Sequence, residues 1–267
     1  MMTTIQQIAT LTFALSCTVT AATTLGNVSI SDPILGNRSV VYELINGYAI
    51  VEGDIIIGRL IPSAVFRPTI GGNRWREGII PFELEEDLPL MTKLAVLQAI
   101  AHWQKYTALH FVELTSKNRH EYHDYLAFIP ASGTTCSSFV GKQGGRQEVN
   151  LSTRCTNMNT VHEIGHAIGL WHEQSRADRD NYIRVLWENI ADDHQYNFNQ
   201  HLTDGRDVGD YDYQSIMHYG AYAFSKNGKK TIMPLDESVE IGQRNQLSEK
   251  DILAVSAMYP DALNQGR

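Results

Sequence analysis

The sequence predicts an α+β fold. Three observations carry that expectation: short β-type runs between turn residues across positions 23–65, two stretches of helical periodicity after residue 89, and a turn-rich C-terminal third that closes with one more helix. The 267 residues are 43% apolar and 19% charged, a composition that can bury a core and does not suit a disordered polymer. A formal charge of −8 with no Lys/Arg block argues against nucleic acid as a partner.

Residues 1–22 carry no charged side chain, and 8–22 form an apolar, small-residue run with Ala21 and Ala22 at a plausible cleavage point. This reads as a secretory signal and hence a secreted protein. No Lys or Arg precedes Arg38, so the usual basic n-region is missing. An uncleaved anchor, or export by a specialised route without signal cleavage, therefore stays open. Beyond this stretch no apolar run approaches the roughly 20 residues that span a bilayer, so no membrane span is expected in the mature form.

Val40-Val41-Tyr42, 48–51 and 55–57 are the first strand candidates, punctuated by Asn46-Gly47 and Gly53. Residues 62–73, with Pro68, Gly71 and Gly72, read as a linker to a main domain of about 200 residues. The apolar positions Leu90, Leu94, Leu97 and Ala101 recur at helical spacing and predict a helix over 89–106, with Trp103 and Phe111 further along. Strands are expected at 125–129 and 148–151, joined by a turn containing Gly141, Gly144 and Gly145. A second helix opens near Asn159-Thr160, a potential N-cap, and ends at Gly169. Ser248 and Asp251 fit a capping-box pattern for a last helix over 248–259.

Of three cysteines, Cys17 would leave with the signal. Cys136 and Cys155 then form an even pair, either one bridge of an exported protein or two buried free thiols. A bridge closing a loop of that length adds about 3 kcal/mol in the chain-entropy picture.

The chemistry is concentrated in His162-Glu163-Ile164-Gly165-His166-Ala167-Ile168-Gly169-Leu170-Trp171-His172. On a helix, positions i and i+4 share a face, so His162 and His166 aim at one point. Glu163 stands beside them, able to reach a ligand bound there. Gly169 turns the chain so that His172 returns as a third ligand. Three neutral nitrogens with an open fourth position describe a catalytic rather than a structural zinc. Such an ion activates water and polarises a carbonyl, and Glu163 would serve as general base in hydrolysis of a peptide bond.

The run from His162 through Arg176-Ala177-Asp178-Arg179-Asp180 resembles the extended zinc signature of the astacin family of metzincin endopeptidases, and Ser215-Ile216-Met217-His218-Tyr219 resembles that family's Met-turn. Similarity extends over nearly the whole main domain: 75–82, 141–151, Phe224-Ser225-Lys226-Asn227-Gly228 and Ile241-Gly242-Gln243-Arg244. The resemblance implies a zincin-like catalytic domain at 67–267. Its N-terminal subdomain (about 67–171) would hold a twisted mixed sheet and the active-site helix. The irregular C-terminal subdomain (about 172–267) would hold the Met-turn and the final helix.

It also implies one Zn2+ on His162, His166 and His172, Glu163 as base, and Met217 as an apolar floor. Tyr219 would be a resting zinc ligand that swings to bind the oxyanion, and Glu173 a buried anchor for the mature N-terminus. Arg176 and residues 178–180 read as a salt-linked turn.

Val51-Glu52-Gly53-Asp54 resembles the family's propeptide switch, with Asp54 on the zinc and Val51 where an aromatic is usual; a simple Glu-Gly-Asp turn is the other reading. Residues 23–66 would then be a propeptide, removed by a cut within 64–70. The family's second disulfide is missing, with Ala108 and Asp261 near its two ends. Substrate is expected to lie extended along an edge strand near 136–140. The expected enzyme is a monomeric endopeptidase acting on protein or peptide substrates, made as a latent zymogen. A non-catalytic, zinc-containing peptide-binding protein is the alternative.

Overall fold

Among the described residues nine strands join in one mixed sheet, and the order of those strands places the N-terminal segment against the rest of the chain. The structure, a computed structural model, describes residues 24–32, 36–59, 73–202 and 205–264. The expected signal at 1–22, the cleavage region at 64–70 and most of the linker at 62–73 lie outside these residues. The strands are β1 (Thr24–Asp32), β2 (Gly36–Ile45), β3 (Tyr48–Val51), β4 (Ile55–Arg59), β5 (Ile79–Leu84), β6 (His110–Glu113), β7 (Tyr125–Pro130), β8 (Cys136–Ser138) and β9 (Arg146–Leu151). Their order is β1-β2-β3-β4-β8-β9-β7-β5-β6.

The first four strands form an antiparallel meander. Asn46 and Gly47 make the β2–β3 turn, both at positive φ (52° and 84°), as a two-residue hairpin with right-handed strand twist requires. From β9 through β7 and β5 to β6 the pairing is parallel. Leu126, Ala127 and Phe128 are all fully buried, as expected of a parallel strand covered on both faces. The two halves meet at one parallel contact, Ile55 opposite Ser138, where the Ser138 amide also donates to the Asp54 carbonyl at 2.9 Å. The Cys136–Cys155 bridge forms, fixing β8 to the start of the second helix.

Helix α1 (Leu90–Tyr106) has the expected extent, with Pro89 at its N-cap. Its inward face is not the leucine stripe. Leu90, Leu94 and Leu97 are 71%, 43% and 42% exposed, Ala101 is exposed as well, and the buried positions are Thr92, Ala95, Val96, Ala99, Ile100 and Trp103. The small side chains Ala95 and Ala99 bring α1 close to α2 (Asn157–Ala167), and the Trp103 indole donates to the Val161 carbonyl at 3.0 Å. Burial of a large ring with its N–H satisfied outweighs three leucines left half in water.

Helix α2 starts before the expected point: Thr156 is the N-cap, and Asn159 is its partner in a capping box. Helix α3 (Glu249–Met258) carries the expected Ser248/Asp251 capping box. Asp251 reaches further, accepting from the Ser215 hydroxyl at 2.6 Å and the Ile216 amide at 2.9 Å, so the cap of α3 also holds the 215–219 turn. A small sheet of β10 (Ile183–Val185) and β11 (Ile232–Pro234) and an aromatic cluster including Phe198, Tyr211 and Tyr219 build the C-terminal part. A Cβ placed on Gly78 would lie 2.8 Å from the Ala262 Cβ and 3.8 Å from the Ala108 carbonyl, so the two ends of the missing bridge share one corner. Among the described residues no helix is long and apolar enough to cross a membrane.

The two faces of α1 predict opposite mutational costs. In denaturant unfolding, Ile100→Ala should lose about 2–5 kcal/mol while Leu94→Gln stays within about 0.5 kcal/mol. Equal losses would show that the leucine stripe is packed.

Candidate metal centre and active site

Helix α2 sets two imidazoles one turn apart, and the glycine after it sets the third. Gly169 has φ 110°, its amide closes onto His166 O at 2.8 Å, and a Cβ there would strike Met258 at 2.9 Å. His172 comes back beside the helix as a result. Met217 passes beneath: a Cβ on Gly165 would be 2.6 Å from its sulfur, so the missing side chain makes room for it.

The three histidines are buried. His162 Nδ1 faces the Ile216 carbonyl and His166 Nδ1 the Leu170 carbonyl, each at 2.8 Å. A carbonyl only accepts, so Nδ1 carries the proton and Nε2 its lone pair. His172 Nδ1 likewise faces a Glu52 carboxylate oxygen at 2.8 Å.

The three Nε2 atoms therefore converge, and Asp54 joins them. His162 and His172 Nε2 are 3.3 Å apart, Asp54 Oδ2 is 3.2 Å from His162, and Asp54 Oδ1 is 3.2 Å from His172 and 3.6 Å from His166. His166 Nε2 and Asp54 Oδ1 are buried without a hydrogen-bond partner. Ligands of a tetrahedral zinc with bonds of about 2.0–2.1 Å stand about 3.3–3.4 Å from one another. The nitrogen and oxygen donors, their orphaned lone pairs and their spacing all fit one zinc ion.

Protons serve this cluster poorly. Burial pushes His162 down to about 3, whereas for His172 burial is outweighed by Asp54 and Glu52, which draw it up to about 9. Burial alone would also raise the Asp54 carboxyl, yet His172 and then the other two imidazoles hold it well below the usual range. One proton on His172 answers one of these contacts. A cation at the centre answers all four.

Glu163 is 2% exposed and leaves Oε2 unpartnered. Burial first, and the charge of Asp54 second, push its carboxyl well above the ordinary value. Tyr219 packs beside His172 with ring centroids 4.7 Å apart, and its hydroxyl donates to the Glu52 carbonyl. Glu173 accepts from the Asp212 amide at 2.7 Å and lies 3.6 Å from Arg176; burial pushes its carboxyl up to about 8. It lines a cavity of about 90 Å3 together with Gly169, Arg176, His201, Asp207 and Met258. Arg176 makes a two-point ion pair with Asp178, and Arg179 turns inward to the carbonyls of Gln174 and Phe198, a structural charge cluster as expected.

The site contains residues that the sequence did not single out. Glu52 is buried at 5% exposure and accepts from His172, from the Ser175 hydroxyl at 3.0 Å and from His201. Burial would raise its carboxyl, but His201 and His172 hold it at about 2. Arg244 donates to the His218 and Gln243 carbonyls at 3.0 and 2.9 Å, and its charge reaches Asp54 and Glu163. An acid two positions before Asp54 was visible in the sequence; its partners, 120 to 149 residues away, were not.

Three buried histidines spaced to hold one zinc, beside a glutamate with an unpartnered Oε2, define a zinc peptidase site of the three-histidine type. The profile of the Astacin peptidase family matches residues 69–260. The chain is 37% identical over 242 residues to zinc metalloproteinase nas-4 of Caenorhabditis elegans, covering 88% of this chain and 73% of that protein. It is 37% identical over 232 residues to the astacin-like metalloendopeptidase of Mus musculus, covering 81% of this chain and about half, 51%, of that one. Among solved structures, high choriolytic enzyme 1, a hatching enzyme zinc-protease from Oryzias latipes, superposes with a TM-score of 0.62 at 33% identity, over 71% of this chain and 94% of that one. The chain belongs to the astacin family of zinc metalloendopeptidases.

Glu163→Ala should leave zinc stoichiometry at one per chain while abolishing peptide cleavage by a chain trimmed to residues 67–267. Turnover undiminished in that variant would remove Glu163 from the chemistry.

Proposed function

We propose that the chain is the latent precursor of a secreted endopeptidase, with residues 23–66 as an inhibitory propeptide and 67–267 as the catalytic domain. The carrying observation is Asp54, seated at hydrogen-bonding distance from two metal-facing imidazoles and 3.6 Å from the third, on a segment whose strand covers the edge of β8. A carboxylate oxygen is a competent fourth zinc ligand. In that place it excludes water, and β4 excludes an extended substrate from the same sheet edge. The disulfide and the uncharged stretch at 1–22 support export.

Once the segment leaves, each residue has a role that its position supports. His162, His166 and His172 would hold the zinc, which when bound supplies a Lewis acid at the scissile carbonyl. Met217 would floor the ligand set. Glu163, buried with a free carboxylate oxygen, would take a proton from the attacking water and return it to the leaving amine, so that no net proton is consumed. Tyr219 now donates its hydroxyl to a propeptide carbonyl. A substrate carbonyl in the same cleft would receive that donor, which supports its part as oxyanion stabiliser. Glu173 is half-buried and lines a small cavity, where the ammonium of a new N-terminus would pair with its carboxylate.

Asp54→Ala should give measurable peptidase activity in the uncleaved chain, read by mass-spectrometric detection of cuts in a peptide library. Full latency in that variant would return the Glu-Gly-Asp segment to the status of a turn.

A further inference from the structure

A metal-bound imidazole is fixed in tautomer and orientation by whatever accepts its other N–H. For His162 and His166 that acceptor is a main-chain carbonyl within the 67–267 domain, Ile216 or Leu170. For His172 it is the side chain of Glu52, which comes from the N-terminal segment. The site of a protease that works without this segment thus takes one of its three orienting groups from it.

Glu52 is built for that contact. Its carboxylate is buried and held from two further directions, by Ser175 at 3.0 Å and by His201. Its backbone sits at φ 50°, the left-handed region that a side chain other than glycine enters only at a cost. That turn directs one acid, Glu52, behind His172 and the next, Asp54, in front of it. A buried charge on a strained backbone is retained only where its partners compensate.

We infer that Glu52 is a positioning residue for the zinc, so that residues 23–66 supply both a direct ligand and the carboxylate behind a ligand. This rests on the reading of those residues as a removable segment. A carboxylate behind an imidazole raises its donor strength and fixes its lone pair toward the metal. The uncleaved chain is therefore the form that acquires and retains zinc best, and cleavage removes two supports of the metal in one step.

The test uses the full uncleaved chain with Zn2+ alone, titrated against a chromophoric chelator. Glu52→Ala, with Asp54 intact, should lose about 10–100-fold in zinc affinity. Glu52→Gln, which keeps an amide oxygen for the imidazole N–H but no charge, should lose less. Both should shift the visible spectrum of the Co2+-loaded chain, which a merely structural role would not move. Glu43→Gln is the control. Glu43 is also a buried acid of the segment, paired with His194 at 3.2 Å and outside the metal cluster, and its loss should leave affinity and spectrum unchanged.

Wild-type affinity with an unaltered cobalt spectrum in Glu52→Ala overturns the inference. So does an equal loss in Glu43→Gln, which would mean that any loosening of the segment releases metal. If Glu52→Ala does not fold, Glu52→Gln decides alone: an unshifted cobalt spectrum and wild-type zinc affinity in it overturn the inference. The latency reading fails separately, through an uncleaved Asp54→Ala chain that stays inactive, and the zinc titration is read without reference to that result.

Discussion

Four lone-pair donors pointing at one volume of space repel one another unless a cation lies between them, and the rest of this structure keeps them there. Each imidazole is locked by the group behind it, so none can rotate its lone pair away. The locking groups come from separate parts of the chain: the turn after α2, the 215–219 turn and the N-terminal segment. Those parts are fastened in turn. Asp251, capping α3, grips Ser215 and Ile216; the Trp75 and Trp103 indoles tie to Ala167 and Val161 of α2 at 2.8 and 3.0 Å. The core exists in part to hold a crowded set of donors that a metal at their centre makes favourable.

The same demand explains why the N-terminal segment lies where it does. A sheet edge at β8 with unpaired main-chain groups attracts another strand. Here β4 takes it, and the meander behind β4 adds apolar contact: Ala49, Val51, Ile55 and Ile57 form a cluster with Val140, against which Trp171 packs. Val51 is 7% exposed in that cluster, and Trp171, from the turn after α2, packs against it. Two acids at the tip of the segment then face opposite sides of His172. The proposed inhibition and the proposed metal support would share one turn of backbone.

Much of this was legible in the sequence because it is local. Histidines at i and i+4 with a glutamate between them need only a helix to become a site, and Gly169 marks where that helix must end. The capping box at Ser248 was readable for the same reason. The face of α1 was not: two stripes compete on it, and the leucine stripe is the more hydrophobic. The choice of Ala95, Ala99 and Trp103 depends on how closely α2 approaches, which is a tertiary fact. At the start of α2, Thr156 and Asn159 both suit a cap, and only the backbone shows that Thr156 is the one preceding the helix. The roles of Met217, Tyr219 and Asp54 came from resemblance to a family rather than from spacing. The contacts of Glu52 with His172, Ser175 and His201 were invisible, since they span 120 to 149 positions and nothing periodic announces them.

The proposed latency and the proposed metal support both turn on whether the uncleaved chain closes a tetrahedral zinc with three histidines and Asp54. A crystal structure of the uncleaved, zinc-loaded chain tests this most directly. An Asp54 oxygen is expected at about 2.0–2.2 Å from the ion, with no water in the fourth position. Zinc held by the three histidines and a water, with Asp54 turned away, would contradict it.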